Sequence, residues 1–251
     1  MDDVHVHVRD EASTRYVSLA RPPLNVLDLP MIEALRGALA EAAARRELKC
    51  VVLRSDVDGV FSAGVDVGAH APERAPSMLE AFHAVCLLLH VLPQASVAAV
   101  DGACLGGGCE LAACCDIVLA SERSRLGQPE IDVGCFPPVA SVLLPRLVGR
   151  LAYEIVLGGE PMPAAEAARI GLVNRVVTDV EAEAKAWAER FGGKSGTVLA
   201  LARRAVRNGH HGPFDEALRA AERLYREELL RTHDAEEGVR AFLEKRKPVW
   251  K

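Results

Sequence analysis

Residues 101–121, DGACLGGGCELAACCDIVLAS, place three consecutive glycines in the most apolar part of the chain, with a glutamate two positions after the last. Glycine loses the most backbone entropy on folding and contributes no side chain. Gly106, Gly107 and Gly108 therefore need a reason to be there. The flanking pattern suggests one. Residues 96–105 read as a strand and turn, 108–116 as the start of a helix, and 117–121 as a buried strand. A helix N-terminus carries N–H groups without intrahelical partners and a partial positive charge. If the helix starts near Gly108 or Cys109, the Gly107 N–H lies just beyond it, open to a ligand oxygen that gains negative charge. Close helix–strand packing is an equally good use of the same glycines. The spacing matches neither G-x-G-x-x-G nor a phosphate-binding P-loop.

Glu110 falls in the first turn of that helix, where the dipole partly offsets its charge. A second carboxylate, Glu130, sits in GQPEIDVG (127–134), expected as a loop after the strand IVLAS. Two carboxylates in apolar surroundings form a candidate general acid and base. FSAGVDV (61–67) supplies another tight turn of small residues, Ala63–Gly64–Val65, and with it a second candidate backbone donor.

The remaining sequence narrows the class. The chain has 251 residues, half of them hydrophobic and 26% charged, with a net charge of −5. That is a folded, mildly acidic protein without a Lys/Arg-rich run, which disfavours a nucleic-acid partner. No apolar run reaches membrane-spanning length unbroken, and the charged, alternating N-terminus is unlike a signal or transit peptide. The expected location is cytoplasmic. Seven cysteines lack the paired C-x-x-C spacing of zinc sites and read as small buried hydrophobes in a reducing compartment. No metal or redox cofactor is expected.

Along the chain, residues 4–8 and 16–20 alternate like antiparallel strands joined by RDEAST. Residues 30–46 and 77–92 have helical spacing, 49–55 is a short buried strand, and DVDGVFSAGVDV is loop-like. Strands alternating with helices indicate α/β layering. From about residue 140 the pattern predicts an all-helical C-terminal part, with helices over 140–148, 151–157, 163–169, 179–191, 195–208, 212–231 and 234–244. A core over 1–195 and a helical region over 196–251 follow. The histidine pair 210–211 reads as a turn; His70 and His83 read as surface or helix-packing residues, and Asp132 as a loop aspartate.

FSAGVDV, DGACLGGGCELAACCDIVLAS and GQPEIDVG together resemble the signature blocks of the crotonase (enoyl-CoA hydratase/isomerase) superfamily. RPPLNVL, GEPMPAAEAARIGLVNRVV and EGVRAFLEKRKPVW match further family segments in order. The resemblance implies a spiral of ββα units with a helical C-terminal trimerisation region, and a homotrimer or dimer of trimers. It implies an acyl-CoA thioester as substrate, hydrated or dehydrated without a separate cofactor. The oxyanion-hole donors carry over to the N–H groups of Val65 and Gly107, and the paired glutamates to Glu110 and Glu130. Arg21, Ala63, Gly64 and Asp66 are implied at the coenzyme A site, with Phe242 and Lys245 reaching it, from a neighbouring subunit if not from the same chain. Where hydratases carry a glycine this chain has Pro138, so any hydrogen bond given by that residue's N–H is absent. Cys135 and Phe136 are expected to shape the acyl pocket. The FPPVA variant resembles the branch that hydrates cyclic dienoyl-CoA thioesters. An isomerase of the same fold, and a dehydratase of a branched 3-hydroxyacyl-CoA such as 3-hydroxy-3-methylglutaryl-CoA, are the alternatives.

Overall fold

The structure, a computed structural model, describes residues 5–209 and 212–251. Its centre is the strand CVVLRS. β3 (Cys50–Ser55) is buried on both faces, as the unbroken apolar run CVVL requires of a parallel strand. It lies between β2 (Thr14–Leu19) and β5 (Ala95–Val100), parallel to both. β7 (Ile117–Ser121) follows β5, and β1 (Val6–Glu11) closes the other edge as a hairpin with β2. That hairpin turns within Ala12–Ser13, so both strands run into the segment RDEAST expected as the turn.

Three strands of this sheet, β3, β5 and β7, send the chain onward into a second, smaller sheet. β4 (Val60–Ser62) follows β3, β6 (Ala103–Leu105) follows β5, and β8 (Arg125–Gly127) follows β7; the three pair in parallel. The helix after β4 is α2 (Ala75–Val91), after β6 α3 (Gly107–Ala113), and after β8 α4 (Pro138–Val148). Three successive ββα turns thus stack into a spiral. The turns touch through backbone: a Cβ on Gly102 would lie 1.8 Å from Gly59 O.

Period-two alternation sorts the large sheet into two cores. Val51, Leu53 and Ala98 face α1 (Leu29–Ala44) and α2, while Cys50, Val52, Val97 and Leu119 face α7 (Val180–Gly192). Asp28 caps α1 through the Met31 N–H and Asp179 caps α7 through that of Ala182.

The C-terminal part is not all-helical, contrary to its periodicity. After α5 (Leu151–Gly158), β9 (Met162–Pro163) pairs with β8. Beyond α6 (Ala164–Arg169), β10 (Arg175–Val177) adds a sixth strand beside β7. Runs of two and three residues are too short to show alternation, and only pairing with a neighbour defines them. α8 (Gly196–Gly209), α9 (Phe214–Glu227) and α10 (His233–Leu243) complete the chain; a short 3-10 turn at Leu229–Arg231 ends the helix expected to run to 231. The turn expected at 210–211 lies outside the described residues. Arg203 docks α8 on the core. It is 9% exposed, pairs with Asp116 at 2.6 Å, and donates to the carbonyls of Leu89, His90 and Leu92 at the end of α2.

Candidate active site

The three glycines stand where three elements converge. α3 begins at Gly107, one residue before the expected start, so the Gly107 N–H is the first of the helix and has no intrahelical acceptor. Each glycine clears a different neighbour. A Cβ on Gly106 would lie 2.5 Å from Glu130 Oε1, one on Gly107 2.8 Å from Val65 Cγ2, and one on Gly108 2.7 Å from Ser62 Cβ. Gly108 thus serves close helix–strand packing, while Gly106 and Gly107 leave room beside Glu130 and Val65.

The second donor is built by a short parallel bridge. Leu27 N donates to Gly64 O and Asp66 N donates to Leu27 O, which directs the Val65 N–H to the opposite side of the strand. There a Cβ on Gly107 would lie 3.3 Å from Val65 N, and one on Gly64 3.2 Å from Gly107 N. Gly64 has φ +97°, a conformation that favours glycine. The Val65 and Gly107 amides are thus neighbours across a gap that admits no side chain.

Both amides and both glutamates line one cavity of about 210 Å³. Glu110 is 3% exposed. Its Oε1 accepts from Ala140 N at 2.8 Å, in the first turn of α4. Burial pushes the Glu110 carboxyl up to about 7; the N–H groups of Ala140 and Val139 oppose the rise, and the charge of Glu130 adds to it. Glu130 sits in a 3-10 turn, Pro129–Val133, rather than in an open loop. Burial raises it as well, against its own backbone N–H and nearby His70, and its Oε2 is buried without a hydrogen-bond partner. A proton can pass to or from Glu110 near neutral pH.

Pro138 is the first residue of α4, where its missing N–H leaves no helical bond unmade. The next amides in the turn reach Glu110 instead. This donor role of Val139 and Ala140 is absent from the sequence reading, although a Pro-Pro helix start was a signal that free N–H groups follow.

Of the expected site residues, Glu110, Glu130, Val65, Gly107, Ala63, Gly64, Phe136 and Pro138 line the cavity. The others lie elsewhere in the single chain. Arg21 pairs with Asp28 at 3.0 Å and donates to Val26 O. Asp66 caps the 3-10 turn Val67–His70 by accepting from Gly68 N. Cys135 is half-buried beside the cavity wall, and Phe242 and Lys245 stand at the end of α10. Three side chains read as uninvolved, His70, His83 and Asp132, line the cavity. Histidine on an amphipathic helix carries no mark of which face the tertiary fold will open. Among the described residues, no group of three or more His, Cys, Asp or Glu side chains is placed to hold a metal.

The enoyl-CoA hydratase/isomerase family model matches residues 9–251. The chain belongs to this family. It is 39% identical over 248 residues to the cyclohexa-1,5-dienecarbonyl-CoA hydratase of Thauera aromatica, covering 98% of this chain and 95% of that one. A probable mitochondrial enoyl-CoA hydratase of Arabidopsis thaliana is 33% identical over 242 residues, 93% of this chain and 80% of its own. Among solved structures, an enoyl-CoA hydratase from Bacillus anthracis superposes with a TM-score of 0.93 at 30% identity, over 98% of this chain and 99% of that one. The spiral is thus the crotonase fold, and the protein is an enzyme of the enoyl-CoA hydratase type, in a family that acts on acyl-CoA thioesters.

Proposed function

We propose that this enzyme adds water across the α,β double bond of an enoyl-CoA, or removes it in reverse, using Glu110 and Glu130 as its proton carriers. The observation that carries this reading is the meeting of a buried carboxylate, a half-buried one and two adjacent backbone N–H groups in one cavity. Water addition at Cβ drives negative charge onto the thioester oxygen. The N–H groups of Val65 and Gly107 receive that oxygen; one such donor is typically worth roughly 100- to 1000-fold in rate. Glu110, held by Ala140 N, orients and deprotonates the water, and Glu130 delivers the proton to Cα. With its carboxyl at about 7, Glu110 is poised to act as a base near neutral pH. The substrate supplies its own coenzyme A, so this scheme requires no other cofactor.

A double-bond isomerase of the same fold needs only one carboxylate, so the second favours hydration. A dehydratase of an acid such as 3-hydroxy-3-methylglutaryl-CoA is disfavoured. The cavity wall carries Glu110, Glu130 and Asp132, and no Lys or Arg among the described residues. The name of the Thauera relative supports a cyclic dienoyl thioester as the natural substrate. Coenzyme A would extend toward Arg21, and Phe242 and Lys245 would reach it from a neighbouring subunit of a homotrimer.

A panel of crotonyl-CoA, a cyclic dienoyl-CoA and 3-hydroxy-3-methylglutaryl-CoA, assayed by mass spectrometry for gain or loss of water, tests the reading. Turnover of the first or second that falls roughly 100- to 10,000-fold in Glu130→Gln is the expected result. No water exchange with any thioester, in protein that still binds coenzyme A, would overturn it.

A further inference from the structure

In the scheme above, each hydration ends with an extra proton on Glu110 and one missing from Glu130. Both groups must be reset before the next turnover. The cavity wall that holds them also carries Asp132 and two imidazoles. The imidazoles differ. His83 Nε2 is buried. His70, the last residue of the 3-10 turn Val67–His70, is half-buried, and its Nε2 is neither buried nor bonded within the protein. Its Nδ1 lies 3.1 Å from Asp66 O. A carbonyl oxygen only accepts, so Nδ1 carries the hydrogen and Nε2 is the nitrogen left to take up and release a proton.

His70 also stands close enough to Glu130 to be felt there. Burial raises the Glu130 carboxyl, its own backbone N–H opposes the rise, and so does the positive charge of His70. The other titratable groups of this wall are Glu110 on α3, Asp132 on the same 3-10 turn as Glu130, and His83 on α2; Asp66 lies in the His70 turn itself and caps it. None of these joins an open nitrogen to a place beside Glu130.

We propose that His70 is the proton relay of Glu130: its Nε2 takes a proton from solvent and hands it on through water, and the path reverses when the enzyme dehydrates. In the hydration direction the Nε2–H bond breaks, its electron pair stays on the neutral ring, and Glu130 gains an O–H. Hydronium or a buffer acid then restores the imidazolium, while Glu110 returns its proton to solvent water. His70 acts through Glu130 and touches no reacting carbon. The inference rests on the hydratase reading and deepens it by assigning the step that follows product release.

That step enters kcat but not kcat/KM, which gives the test its readout. Hydration of crotonyl-CoA and of a cyclic dienoyl-CoA is measured in dilute buffer, with and without added imidazole, for wild type, His70→Ala and His70→Gln. Glutamine keeps a donor for Asp66 O but cannot carry a proton. kcat should fall at least roughly tenfold in both variants, with kcat/KM nearly unchanged, and added imidazole should restore much of the loss in His70→Ala. Several results would overturn the relay and leave the hydratase reading standing: wild-type kcat in both variants, a loss confined to His70→Ala, an equal fall in kcat/KM, or a loss that imidazole does not relieve. Hydration of neither thioester by the wild type would instead remove the hydratase reading, and this inference with it.

Discussion

Glu110 shows how one buried side chain ties activity to stability. Its carboxyl titrates at about 7 in the fold, above its ordinary value of 4.5. The folded protein therefore holds that proton more tightly than the unfolded chain does. The resulting stabilisation is full below pH 4.5 and is lost as pH rises through 7. Glu110→Gln should then unfold at the same urea concentration as wild type near pH 4. At pH 8 it should be more stable by about 1–3 kcal/mol, while hydration falls roughly 100- to 10,000-fold. Equal urea midpoints at pH 8 would show that Glu110 is not held protonated by burial. The pair also titrates together. The charge of Glu130 adds to the rise at Glu110, so the acid limb of residual activity in Glu130→Gln should move to lower pH. Gly106 is the third residue on which the pair depends. Gly106→Ala puts a Cβ 2.5 Å from Glu130 Oε1 and should cost activity by displacing that carboxylate, read as a fall in kcat with soluble, folded protein.

Two helix ends decide how the elements meet. At the start of α4, Pro137 and Pro138 set the entry and the amides behind them hold Glu110. Pro138→Gly frees one more N–H but loosens the turn. Hydration should change by less than about tenfold and stability fall by about 1 kcal/mol, both read on the purified variant. At the end of α2, the last carbonyls have no helical donors, and Arg203 from α8 supplies them. None of the described residues of α8 is buried, so this polar clamp matters more to its docking than apolar packing does. Arg203→Ala should cost roughly 1–3 kcal/mol, because the carbonyls of Leu89 and Leu92 lose this donor and Asp116 is left to Ser96 alone. Arg203→Lys should not restore the loss, since an ammonium cannot span three carbonyls and a carboxylate as a planar fork does. Urea unfolding of the two variants measures both.

On the scale of the whole molecule, the helical C-terminal region leaves large apolar side chains in solvent. Phe214 and Phe242 are each 82% exposed and Leu243 is 74% exposed. Large exposed apolar side chains on adjoining helices mark an interaction surface. Self-association through this region is the expected outcome, and light scattering should give three or six times the chain mass. Phe242→Asp should lower that mass if these helices form the contact. A monomeric wild type would remove the neighbouring subunit from the coenzyme A site.

The order of strands and helices was legible in the sequence wherever a periodic run was long enough to show its face: the apolar CVVL of β3, the helical spacing of α1 and α2, and the two glutamate blocks. Those same blocks marked Glu110, Glu130 and the Gly107 N–H as candidates, because carboxylates and glycines in an apolar run need a reason to be there, whereas the Val65 N–H was implied by the family resemblance. The two- and three-residue strands β9 and β10 were not legible, since pairing with a distant neighbour, not local pattern, makes them strands. Nor was it legible that Ala140 donates to Glu110 or that His70 and His83 line the cavity. A backbone N–H carries no side-chain signature, and a histidine's surroundings depend on what folds against it. The glycines of residues 106–108 fall between the two cases. Their presence announced a close approach to the backbone; only the tertiary structure assigned them Glu130, Val65 and Ser62 as the atoms that come close.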